Sequence, residues 1–249
     1  MRIITGTITN GVTLAASDSP VLIGGVVTND STTTGTSAVY GGAGIYADIR
    51  NAGTVGDTGK TFIGITLTAA GTVTNGAPTA THAAIEGGSY ALKLSATSTV
   101  TNYGSIVGGF AGARLFAGGR ITNGSAADTT ALISGGTGEG LSFGEFSNTG
   151  LGTLVNFGTV SSTKFVGVDL GGAGGRVTNG SSTDTAALIT GYGDGIRVLS
   201  GAGTVSNFGT ITATAGRCIG VLGAYAAPLH LTNGSSTSTK ALISGTYGI

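Results

Sequence analysis

The sequence predicts an all-β fold: a single-stranded parallel β-helix, a β-solenoid of about ten coils, right-handed and three-sided. Three observations predict it. The phrase apolar-x-Asn recurs with its Asn at positions 10, 29, 51, 75, 102, 123, 156, 179, 207 and 233, at intervals of 19 to 33 residues. Self-similarity at this spacing marks stacked repeats, none of which can bury its apolar face alone. The segments between these Asn alternate apolar and polar residues with period two, as half-buried strands do, and none keeps the spacing of a helix. Finally, 49 of the 249 residues are Gly and only 9% are charged, against about 25% in an ordinary soluble domain.

Each coil reads as three short strands. The first ends at the Asn and occurs in two alternating types. Arg120-Ile-Thr-Asn123-Gly-Ser, Arg176-Val-Thr-Asn179-Gly-Ser and His230-Leu-Thr-Asn233-Gly-Ser represent one. Val100-Thr-Asn102-Tyr-Gly-Ser-Ile106, Leu154-Val-Asn156-Phe-Gly-Thr-Val160 and Val205-Ser-Asn207-Phe-Gly-Thr-Ile211 represent the other. The second strand carries an apolar residue four positions after the Asn in short coils (Val55, Ile106, Val160, Ile211) and ten after it in long coils (Ile85, Ile133, Ile189, Ile243). The long coils therefore insert six residues at one place, which predicts loops on one side of the stack. The third strand reads apolar-x-apolar: Ile45-Tyr-Ala47, Ile65-Thr-Leu67, Leu92-Lys-Leu94, Ala113-Arg-Leu115, Leu141-Ser-Phe143, Val168-Asp-Leu170 and Ile196-Arg-Val198. Coils this long argue against the left-handed hexapeptide type. Ten of them at the strand spacing give a rod of about 45–50 Å.

Residues 1–249 read as one solenoid. Residues 1–23 depart most from the repeat and suit an amino-terminal cap, while 24–249 form coils. The last coil is incomplete: Ala241-Leu-Ile-Ser-Gly245 repeats Ala187-Leu-Ile-Thr-Gly191, but no cap follows. Either further repeats follow, or the open end docks on another copy.

Stacking predicts columns of like side chains. Asn75, Asn102, Asn123, Asn156, Asn179, Asn207 and Asn233 should form an amide ladder. Beside it run Gly76, Tyr103, Gly124, Phe157, Gly180, Phe208 and Gly234, with the rings expected to pack inward or into the corner, each over a neighbouring Gly. Arg120, Arg176 and His230 share one outward position on alternate coils, either a stripe for an acidic glycan or a solvated face that discourages sticking. Lys93, Arg114, Ser142, Asp169 and Arg197 form the outward column of the third strand, where one carboxylate among bases suggests an ion pair and not an acid–base dyad.

Several other features have plainer readings. Asp128 and Asp184, with Ser238 in the next copy, occupy equivalent loop positions and suit turns whose carboxylates accept backbone N–H groups. Asn-Gly-Ser at 123, 179 and 233 matches the glycosylation acceptor but repeats as a turn. Gly191-Tyr-Gly-Asp-Gly-Ile196 resembles one Ca²⁺ nonapeptide, without the tandem copies that share an ion. His82 and His230 lack metal-ligand spacing, and no cofactor is implied. Cys218 excludes a disulfide framework and reads as a small buried hydrophobe.

Composition excludes further classes. Eleven basic residues balance eleven acidic ones, so the chain lacks the basic face that nucleic acid requires. At 40% hydrophobic it is too apolar for a disordered tail, and 3 Pro do not make collagen. The most apolar run, Cys218 to Leu229, has 12 residues, short of the roughly 20 that span a bilayer. The amino terminus, Met1-Arg-Ile-Ile-Thr-Gly-Thr7, shows no cleavable secretory signal.

The iterated apolar-Thr-Asn-Phe-Gly-Thr-Ile and apolar-Thr-Asn-Gly-Ser phrases resemble bacterial β-strand-repeat surface proteins, among them autotransporter passengers and filamentous adhesins. The opening Ile3-Ile-Thr-Gly-Thr-Ile-Thr-Asn-Gly-Val-Thr-Leu14 is similar to the start of large secreted repeat proteins, some with a Hint domain downstream. The resemblance implies an extracellular or cell-surface location and a structural or adhesive role without catalysis. A self-assembling filament subunit, stacked head to tail through open ends, is the second expectation; a glycan-binding or glycan-acting β-helix is the third. The implied partners are another copy of the chain or surface glycans.

Overall fold

The structure is a computed structural model, and it describes every residue except 32, 58, 60–61, 145–149, 217, 224–227, 237–238 and 248–249. Three sheets wind the chain into a three-sided parallel β-helix of about ten coils. The first has ten strands, from Arg2–Ile4 to Leu229–Asn233; the second has ten, from Thr7–Ile8 to Leu242–Ser244; the third has nine, from Val12–Leu14 to Val221–Gly223. One coil visits the sheets in turn, as in Ser98–Asn102, Ser105–Gly108 and Ala111–Leu115. Among the described residues the one helical element is the 3-10 turn Ala16–Asp18.

Register holds through both coil types. Val55, Ile85, Ile106, Ile133, Val160, Ile189, Ile211 and Ile243 pair in sequence down the second sheet, although four residues separate some from their Asn and ten separate others. The six extra residues leave the stack as a loop and rejoin it without a slip. A slip of one residue would turn the whole apolar set outward, so burial of Ile85 through Ile211 fixes the alignment.

The interior is a continuous dry column of Val, Ile and Leu. It narrows where the third sheet meets the first. Phe143, fully buried at the end of a third-sheet strand, lies where the next strand begins with Gly152; a Cβ there would come within 2.4 Å of the ring. Small residues at that corner thus admit large ones from the neighbouring sheet.

The first coils depart from the sequence frame. In register, the ladder position of the first two coils is held by Ile4 and Ile23, above Asn51. Asn10 and Asn29 lie outside the ladder and bridge each other instead. Residues 1–23 supply one strand to each sheet and a second strand, Val21–Ile23, to the first, so this segment winds as a coil. The triplet Ile45-Tyr46-Ala47 is not a third-sheet strand: that role falls to Ser37–Gly41, and Ala47 opens a first-sheet strand. Cys218 is half-exposed, its thiol 3.9 Å from the Gly216 carbonyl. It lies near the last third-sheet strand, where few later residues cover it.

The amide ladder runs from Asn51 to Asn233. Each Nδ2 donates to the next Oδ1 at 2.7–2.9 Å: Asn51 to Asn75, Asn75 to Asn102, and onward through Asn123, Asn156, Asn179 and Asn207 to Asn233. The same Nδ2 reaches a carbonyl that closes its own turn. In short coils this is the Gly two residues on (Asn102 to Gly104, 3.0 Å), and in long coils the Ala eight residues on (Asn123 to Ala131, 3.3 Å). A third acceptor lies on the second sheet of the following coil, as Leu188 does for Asn156 at 3.1 Å. Two N–H groups share three acceptors, so the amide is saturated. Asn75 through Asn207 are fully buried, which also removes Asn123 and Asn179 from any modifying enzyme.

Tyr103, Phe157 and Phe208 stand beside the ladder, half-buried on the outer side of the corner and not in the core. The interleaved Gly residues serve the turn more than the rings. Gly180 has φ +75°, and a Cβ on it would lie 2.5 Å from the Asp184 carbonyl.

Candidate ligand-binding face

Three outer faces are available, and their chemistry differs. The first sheet presents Thr72, Thr99, Arg120, Thr153, Arg176, Thr204 and His230 in one column. Arg120, Arg176 and His230 are therefore separated by a Thr rung each, and all three are exposed. Strand spacing puts successive members about 9–10 Å apart. The second face is a row of hydroxyls that bond along the rod, such as Ser161 to Ser134 at 3.0 Å and Ser244 to Thr212 at 2.9 Å.

The third face is a built surface. Its outward column runs Thr66, Lys93, Arg114, Ser142, Asp169 and Arg197 in register. Outward positions on a rod would ordinarily be wet, yet Thr66, Ser142 and Asp169 are buried. Thr66 meets the Ser37 hydroxyl at 2.6 Å and Asp169 meets Arg197, and aromatic rings flank the sheet in its turns. Phe110, Phe165 and Tyr192 lie in the turns entering the sheet, and Phe116 lies in a turn leaving it. The cations lie on these rings. The Arg197 guanidinium is 4.8 Å from the Phe165 centroid, Arg114 is 5.2 Å from Phe116, and Lys93 Nζ is 6.0 Å from both Tyr90 and Phe116. Lys164 Nζ is 5.6 Å from Tyr192, and Tyr90 meets Phe110 edge to face at 5.4 Å. Four of the chain's eleven Lys and Arg thus engage rings on this one face, each within the range where a ring quadrupole attracts a cation.

Two carboxylates complete it. Asp169 accepts Arg197 Nη2 at 2.8 Å and Nε at 3.5 Å, a two-point ion pair that holds the guanidinium plane against Phe165. Glu139 lies in the turn before Ser142 and is 6% exposed, and its buried Oε2 has no hydrogen-bond partner among the described residues. That oxygen is sealed from solvent, as are Asp128 Oδ2 and Asp184 Oδ2 in the long loops.

Sequence reasoning placed Lys93, Arg114, Ser142, Asp169 and Arg197 in one column. It missed Glu139, Tyr90, Phe110, Phe116, Phe165 and Tyr192. Five of these lie in turns of variable length and the sixth, Tyr90, opens its strand, so no fixed spacing announces them; the one signal was an aromatic within a few residues of each apolar-x-apolar strand. Elsewhere the loop carboxylates hold turns: Asp128 Oδ1 accepts the Thr130 N–H at 3.0 Å, and Asp184 Oδ1 accepts that of Ala186 at 3.1 Å. Ser238 lies outside the described residues. Asp194 Oδ1 accepts the Ile219 N–H at 3.0 Å. His82 is exposed, and among the described residues no three His, Cys, Asp or Glu side chains group as a metal site would need. No described helix is long and apolar enough to cross a membrane. Comparison of the chain with family models, with curated proteins and with solved structures gives no match.

Proposed function

We propose that the chain is a structural and adhesive rod displayed outside the cell, and that its third face holds glycan. The observation that carries this reading is the third-sheet column in which Lys93 and Arg114, on adjacent coils, and Arg197, three coils further on, lie against aromatic rings. Sugar rings offer apolar faces that stack on aromatics and hydroxyls that bond to fixed charged groups, and this row supplies both. The column extends over five coils, from Lys93 to Arg197, so a polymer laid along it would reach both groups. The extracellular location rests on the likeness of the Asn-Phe-Gly-Thr phrases to surface repeat proteins. No catalytic step is assigned, because Asp169 is engaged by Arg197.

Head-to-tail polymerisation is the weaker reading. Continuing the register from Leu229–Asn233 onto Arg2–Ile4 of another copy would set Leu231 against Arg2 and the Asn233 amide against Ile4. Both contacts pair a polar group with an apolar one.

A glycan array probed with the purified chain tests the proposal. We expect retention on at least one polysaccharide class, reduced in the Phe165→Ala and Lys93→Ala variants while their circular dichroism is unchanged. An array without signal, or one that both variants reproduce, overturns the adhesive assignment.

A further inference from the structure

The corner column beside the amide ladder contains a gap. From Gly76 onward it alternates Gly with a ring: Gly76, Tyr103, Gly124, Phe157, Gly180, Phe208, Gly234. Backbone pairing extends the column upward, with the Gly76 N–H on the Asn51 carbonyl and the Ala52 N–H on the Ile23 carbonyl. The preceding rungs are therefore Ala52 and Gly24. Alternation would put a ring at 52, where the chain has a methyl group.

A pocket of about 430 Å³ opens at this place, lined chiefly by Ile3, Leu22, Ile23, Arg50, Ala52 and Thr74. The cleft is open to solvent, and its volume falls within the range of ligand pockets, which begin at about 300 Å³. Ile3 is 58% exposed at its edge. Arg50, whose Nη2 holds Asp48 at 2.9 Å, supplies a guanidinium at the rim. Elsewhere in the molecule Arg114 and Arg197 each lie over a phenyl ring, so a ring beside Arg50 would repeat a pairing this chain already uses.

We propose that this pocket binds a single aromatic ring, phenyl or phenol, in the place the chain leaves empty at Ala52. The ring lies on exposed Ala52, with Leu22, Arg50 and Thr74 along its edge. The site is separate from the third face and does not depend on the glycan reading. A free aromatic compound and an aromatic side chain of a peptide offer the same group.

Backbone NMR titration separates these sources. Phenol and benzyl alcohol form one arm, and the capped peptides Gly-Phe-Gly and Gly-Tyr-Gly the other, with capped Gly-Leu-Gly as the apolar control. We expect saturable shifts at Leu22, Ala52 and Thr74, stronger for the arm that is the natural source and absent with Gly-Leu-Gly. Ala52→Phe should fill the pocket from within and abolish the shifts while raising the thermal midpoint. Arg50→Ser should weaken binding several-fold and keep the fold, which guards against a misfolded Ala52→Phe. Equal response to Gly-Leu-Gly, binding that survives a folded Ala52→Phe, or no shift at millimolar ligand would each overturn the proposal.

Discussion

At the scale of single residues, the ladder Asn is the most constrained position. Asn156 accepts from Asn123 and donates to Asn179, Gly158 and Leu188, all in the dry interior. Replacing it with Ala removes the donor to the buried Asn179 Oδ1 and breaks the ladder at that coil, which should cost about 1–3 kcal/mol. Asn233, exposed at the end of the ladder, should tolerate the same change within about 0.5 kcal/mol. Urea midpoints of the two variants check the contrast, and equal losses would refute it. Gly180 makes a second case. At φ +75° any side chain is strained, and Gly180→Leu should destabilise by about 1–3 kcal/mol through the backbone. Gly180→Ala should cost nearly as much, which distinguishes backbone strain from overpacking of the rings. These residues were legible in the sequence because they recur. The half-exposure of Cys218 was not, since composition cannot say that few later strands cover it.

At the scale of the coil, short and long types are interchangeable modules on one register. Deleting residues 181–186 joins Asn179-Gly180 directly to Ala187-Leu188-Ile189, the spacing of a short coil. Short coils place Gly at the position Ala187 would then occupy, because a Cβ on Gly209 would lie 2.1 Å from the Ala187 carbonyl of the coil before. The deletion combined with Ala187→Gly should fold with unchanged circular dichroism. The deletion alone should lose stability, and thermal melts of the pair decide. Loop shortening alone has a small entropic effect, about 0.6 kcal/mol per doubling of length. The sequence showed this modularity through the four- and ten-residue offsets. It misread the triplet at Ile45 because Asn10 and Asn29, which set the frame for the early coils, lie outside the ladder, and the hydrophobic pattern alone fits two strands equally well. The third face was half legible: its strand column has a fixed spacing, whereas Phe110, Phe116 and Phe165 reach it from turns whose lengths vary.

At the scale of the whole molecule, a neutral rod with eleven charges of each sign has little long-range repulsion to keep copies apart. Solubility then depends on the hydroxyl-lined faces. Electron microscopy and light scattering at high concentration should show monodisperse short rods; filaments that grow with concentration would restore the polymer reading. Hydrogen exchange should be fastest in the last coil, where Leu229, Leu231 and Ile243 are only partly covered, and slow between Val73 and Ile211. Fold class was readable from the repeat because each coil repeats the same chemistry. The ligand was not, since it depends on side chains that do not repeat.

The bonds between coils, backbone and amide alike, run along the rod while the strands lie across it. Tension applied between the two ends therefore loads the coil boundaries in series, and each carries the full force. Such a rod yields by unzipping at its weakest boundary, releasing one coil of 19 to 33 residues as slack before the next gives way. It would behave under load as a stepwise extensible tether, with the six-residue loops and the turn geometry at each corner setting how much length every step releases.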